Sequence, residues 1–185
     1  MKIRIINKHT ETLFQEILRR IQRLQSGGTI DSLREIGADS DKQIGASYVS
    51  LKNLASTYQP DESLALLLWN CQRREEQIMA CLLFPTEMNK EKITQLIYSC
   101  LNFEIAGYLG SLYLYKHPDL AETASAWLDT NLPFLQLATL SALARHRIIN
   151  KEDSLITRDF FLTVVTRTYE DKYVQLVAER YRFNI

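Results

Sequence analysis

Between positions 12 and 26 the apolar residues Leu13, Ile17, Ile21 and Leu24 share one helical face, while Arg19 and Arg23 fall opposite. That 3.6-residue period predicts an amphipathic helix, and Gly27-Gly28 is expected to stop it. A short turn-like helix is expected around 30–36. Ser40-Asp41-Lys42-Gln43 then matches a capping box, in which the serine hydroxyl and the glutamine amide satisfy the first free backbone donors, and it is expected to open a helix running to about Tyr58. Pro60, Asp61 and Glu62 begin the next helix, because proline lacks only a donor already unpaired there and the acids suit the positive helix end. That helix is expected to end near Asn70.

Further helices are predicted over 73–83, 89–100, 103–115, 119–129, 133–149, 154–168 and 171–182, divided by Pro85, His117-Pro118, Asn131-Leu132-Pro133, 150–153 and Glu170-Asp171. Connections of only a few residues force consecutive helices to lie antiparallel and adjacent. Pairs of them make repeats of roughly 35 residues, near the HEAT and armadillo range. The expected fold is therefore all-α: an α-α superhelix of about ten or eleven helices, stacked as HEAT-like antiparallel pairs in a single domain over 1–185. Such stacking buries a continuous core and leaves an inner surface for a partner.

Composition agrees: of 185 residues 46% are hydrophobic and 24% charged, with only six glycines and four prolines, which argues against disorder and against many tight β-turns. Lys+Arg and Asp+Glu are each 22, so any nucleic-acid site must come from a local patch rather than from the field of the whole molecule. Charges interrupt the apolar stretch at the N-terminus, so a secretory signal is not expected, nor is a membrane span. Cys71, Cys81 and Cys100 are odd in number and set in apolar helical pattern, which predicts buried, reduced thiols in a cytoplasmic protein. His9, His117 and His146 add no metal-ligand spacing, so neither a metal nor a cofactor is expected.

Segment 103–115 differs from its neighbours. Ala106, Gly107, Gly110 and Ser111 put small residues at helical spacing among Tyr108, Leu112 and Tyr113. Glycine costs about 1 kcal/mol in a helix interior relative to alanine, so two of them imply a close approach to this backbone, with tight helix packing favoured over a ligand. Tyr108, Tyr113 and Tyr115 are the expected groove-lining residues, whereas Trp69 and Trp127, each set beside leucines, are expected in the core.

Leu68-Trp69 followed by Arg74-Glu75, the Lys116-His117-Pro118-Asp119-Leu120 elbow, Trp127, and Phe134-Leu135-Gln136 together resemble the AlkD-type DNA alkylation repair proteins. The match spans roughly residues 33 to 182. The resemblance implies a HEAT-like solenoid, and in the family's active members a glycosylase that removes bulky or cationic alkylated purines. There a carboxylate stabilises positive charge on the sugar as the base departs. The aspartate of that pattern falls here on Gly107, or on Ala106 if the register slips by one; the phosphate-holding arginine falls on Leu137, and a second active-site tryptophan on Leu176. The resemblance thus implies a family member without the family's catalytic residues.

Glu104 lies three residues before Gly107, on nearly the same helical face, and is the one candidate for a surrogate carboxylate; its bland reading is a glutamate placed by the helix dipole. Arg73, Arg74, Lys116, Arg145 and Arg147 are the candidate nucleic-acid contacts, although Glu75 and Glu76 compensate the first two, and a solvated face explains each group as well. Three functions follow: a catalytically silent module binding double-stranded DNA or a protein, a glycosylase using Glu104, or a protein-interaction scaffold alone.

Overall fold

A computed structural model describes residues 7–25, 42–152 and 155–183. Among them the regular structure is all helical: α1 (Lys8–Gln22), α2 (Tyr48–Ala55), α3 (Glu62–Trp69), α4 (Arg74–Leu83), α5 (Lys90–Tyr98), α6 (Phe103–Tyr108), α7 (Leu120–Leu128), α8 (Pro133–Ile149), α9 (Arg158–Thr166) and α10 (Lys172–Arg182). The all-α expectation holds. The Gly27-Gly28 stop, the short helix around 30–36 and the first half of the capping box lie outside the described residues. The chain divides into two compact units, Met1–Pro85 and Thr86–Ile185.

In the first unit α3 packs on α4, α1 lies against both, and α2 packs on α4. Ile17, Ile21, Leu51, Leu64, Leu68 and Met79 fill the core, together with Trp69, which is 1% exposed as its apolar setting predicts. Asp61 caps α3 by accepting the Leu64 N–H at 2.7 Å. Helix α2 departs from expectation, because it opens at Tyr48 under a Ser47 cap rather than at Ser40.

The cause lies at the start of α4. The Glu75 carboxylate, 1% exposed, accepts the backbone N–H groups of Ile44, Gly45 and Ala46 at 3.3, 3.1 and 3.2 Å. Gly45 takes φ 75°, a left-handed conformation that glycine adopts without cost. Backbone donors held by a carboxylate in that turn are not in a helix, so 42–47 is a loop.

The second unit is organised around α8, which touches α5, α7, α9, α10 and the whole segment 103–116. Pro133 occupies its first turn, and its bounds are those the sequence predicts. Segment 103–115 is not one helix: α6 passes into a π-turn at Leu109–Tyr113 and a 3₁₀ turn at Leu114–Lys116. Gly110 explains the close approach. A Cβ built on it would meet the Ala138 carbonyl carbon and the Ser141 Cβ, each at 2.9 Å, so packing against α8 excludes a side chain. The insertion of a residue into the helical ladder occurs where the two backbones touch.

The His117-Pro118 elbow is fastened internally. His117 is buried; its Nδ1 accepts the Asp119 N–H at 3.2 Å, which leaves Nε2 to donate to the Met88 carbonyl at 2.7 Å. The three cysteines are unbridged, with Cys81 and Cys100 buried and Cys71 half-buried. No helix among the described residues is long and apolar enough to cross a membrane, and they contain no cluster of three potential metal ligands.

Candidate functional groove on α6, α8 and α10

Three helices of the second unit enclose a hollow of about 240 Å³. From α6 and the π-turn come Phe103, Glu104, Gly107, Tyr108 and Ser111, which recur every three or four residues and so share a face. Leu137 and Ser141, four apart, come from α8. The opposite wall is α10, with Tyr173, Val177, Arg180 and Tyr181. The rings hold the walls together: Phe103 stacks on Tyr173 at 4.7 Å between centroids and meets Phe134 edge-on at 4.9 Å, while the Tyr181 hydroxyl donates to Ser141 Oγ at 3.2 Å.

Two of the three positions that the resemblance makes catalytic, Gly107 and Leu137, therefore line this hollow, and neither brings a charge. Leu176 does not line it and is 53% exposed; Tyr173 and Val177 on the same helix face inward instead. Glu104 is in the wall, so the hollow contains a carboxylate, and Arg180 contributes a guanidinium. At Gly107 a Cβ would meet only Ser141 Oγ, at an ordinary 3.8 Å, so packing does not require glycine there.

The three tyrosines separate. Tyr108 lines the hollow. Tyr113 does not line a groove, because the π-turn rotates it into the core, where it is 1% exposed. Tyr115 sits beyond the hollow, approached by Lys116 Nζ at 5.5 Å and by the Arg145 guanidinium at 5.8 Å from its ring centre. Desolvation lowers the pKa of the Lys116 ammonium.

The basic candidates also separate. Arg74 is not a phosphate contact, since it is 5% exposed and its Nη1 donates to the Ala46 carbonyl at 3.1 Å and to Glu75 at 3.2 Å. Arg73 is exposed and pairs loosely with Glu76 at 3.9 Å. Glu75 and Glu76 belong to the interior, not to a solvated face. Arg147 is committed to the carbonyls of Lys151 at 2.7 Å and Ile156 at 3.2 Å. Lys116 and Arg145 alone are brought to one place.

Sequence reasoning missed the α10 wall. Tyr173, Val177, Arg180 and Tyr181 recur at i, i+4, i+7 and i+8, a face that becomes recognisable only once its partner helices are known. Searches of protein-family models, curated proteins and solved structures find no match to the chain.

Proposed function

We propose that this chain is a helical-repeat module that binds double-stranded DNA, akin to the AlkD-type proteins it resembles, and receives a nucleobase in the hollow of α6, α8 and α10 without cleaving it from its sugar. The carrying observation is the hollow itself: aromatic walls from Phe103, Tyr108, Tyr173 and Tyr181 at the place the resemblance gives to the target nucleoside. Its volume lies below the roughly 300–1,000 Å³ of sites for drug-sized ligands, which suits one ring system rather than an extended cofactor. Tyrosine faces stack on any base, and stacking contributes about 1–3 kcal/mol per base.

Excision needs a carboxylate close to the sugar and a held phosphate. Gly107 and Leu137 supply neither. Unbridged cysteines support a reducing compartment such as the cytoplasm.

One observation favours a second reading: Glu104 stands in the wall one turn before Gly107, where a glycosylase would use it as the surrogate carboxylate. The two are separated by incubating the purified protein with duplex containing 7-methylguanine. Retention of the duplex with base release no faster than in buffer supports the silent module. Release above buffer that is lost in Glu104→Gln establishes the enzyme.

A further inference from the structure

Lys116 and Arg145 come from different elements, the 3₁₀ turn after α6 and the last part of α8, yet both cations approach the ring of Tyr115. Neither makes an ion pair with a described residue. Among the described residues the other cation–ring contacts, Arg20 on Tyr58 and Lys90 on Trp127, place one cation on each ring, whereas Tyr115 holds two. Arg74 has Glu75, Arg167 has Asp129, and Arg147 is spent on carbonyls.

The ring explains how two like charges are tolerated there, since its negative face attracts a cation by about 0.5–1 kcal/mol at an exposed site. Desolvation works against the charge on Lys116, and a bound anion would offset it.

Position along the groove gives the anion its identity. Segment 103–116 and α8 run in the same direction: Phe103 meets Phe134, Gly110 abuts Ala138 and Ser141, and the Tyr115 carbonyl lies 3.1 Å from His146 Nδ1. Ser141 lines the hollow, and Arg145 follows it by four residues on the unbroken helix α8, one turn or roughly 5 Å along the same face. Lys116 meets it there at the Tyr115 ring, so the cation pair stands beside the hollow.

We infer that Lys116 and Arg145, steadied on Tyr115, form a binding site for a backbone phosphodiester of duplex DNA, adjacent to the hollow that takes the base. The inference rests on the DNA reading above. Arginine presents a planar fork to two phosphate oxygens and lysine a point charge, so the pair suits a phosphate beside a base-receiving hollow. Tyr115 is a positioning residue, holding both cations at the groove.

The test is fluorescence anisotropy of a labelled duplex titrated with wild type, Lys116→Ala, Arg145→Ala, Arg145→Lys and the off-groove control Arg158→Ala, each over a series of salt concentrations. Thermal melts confirm that every variant is folded. Each neutralised phosphate steepens the salt dependence by about one unit of log–log slope. Lys116→Ala and Arg145→Ala are expected to weaken binding several-fold and to reduce the slope by about one, with Arg145→Lys intermediate in affinity and Arg158→Ala unchanged. Wild-type affinity and slope in both alanine variants would overturn the inference. If the wild type itself fails to hold duplex, the DNA reading falls, and inorganic phosphate decides the site separately: Tyr115 ring resonances that shift with phosphate in wild type but not in Arg145→Ala retain it as an anion site, and unmoved resonances overturn it.

Discussion

Gly110 and Ala138 are in backbone contact: a Cβ on Gly110 would run into the Ala138 carbonyl oxygen, closer than any side chain can come. The contact joins the π-turn to α8 and so sets the spacing of the two helices that form two walls of the hollow. Gly110→Ala must push those backbones apart, and overpacking of this kind costs about 1–3 kcal/mol or more. Gly107→Ala, with its new methyl at van der Waals distance from Ser141, should be neutral or stabilising by up to about 1 kcal/mol through helix propensity. Urea titrations of the two variants check the contrast; equal stabilities would refute it.

Glu75 is the anchor of the loop before α2. Removing its charge takes the acceptor from three backbone donors and the carboxylate partner from the buried Arg74 guanidinium. Breaking a buried ion pair from one side typically costs about 3–5 kcal/mol. Glu75→Ala is expected to lose that much stability and to speed amide exchange at 44–46, as read by denaturation and by hydrogen exchange.

Glu76 behaves in the opposite sense. Burial, with the charge of Glu75 adding to it, raises its carboxyl pKa above the usual value against the pull of its backbone hydrogen bond and Arg73. A folded-state pKa above the unfolded one means that the fold binds this proton more tightly, so its contribution is fully present below the unfolded carboxyl pKa and is lost as pH rises through the folded one. Glu76→Gln should therefore raise the melting temperature at pH 7, and the gain should shrink toward pH 4. A gain independent of pH would contradict this.

The thiols should be inert in the native state. Burial first, then the charge of Glu76, pushes Cys71 up to about 11, and burial alone pushes Cys100 higher still. At pH 7.5 a pKa near 11 leaves roughly one thiolate in several thousand at Cys71. Iodoacetamide is expected to label all three cysteines only after unfolding, and mass spectrometry of the native protein should show almost none modified.

What could be read in the sequence was what local rules control. Helix α8 matches to the residue because Pro133 opens it and leucine, alanine and isoleucine recur through it as far as Ile149. The starts expected at Asn89 and Asp171 fall on the residues that cap α5 and α10, while α3 opens at Glu62 under an Asp61 cap and leaves Pro60 outside the helix. The close approach signalled by Gly107 and Gly110 is real at Gly110, whereas Gly107 opens on the hollow. Non-local effects stayed hidden. The loop at 42–47 depends on a carboxylate some thirty positions later, and the burial of Tyr113 depends on the π-turn. Likewise Arg145 and Arg147 are alike in sequence, and only their contacts separate a cation facing a ring from one tied to carbonyls.

The central claim is that nucleic acid occupies the groove of the second unit. Hydrogen exchange followed by mass spectrometry, on the full chain with and without duplex containing 7-methylguanine, addresses it most directly. The account predicts added protection in peptides covering 103–116, 137–146 and 173–181. Duplex binding that leaves these peptides unchanged, with any protection confined to residues before Pro85, would contradict it.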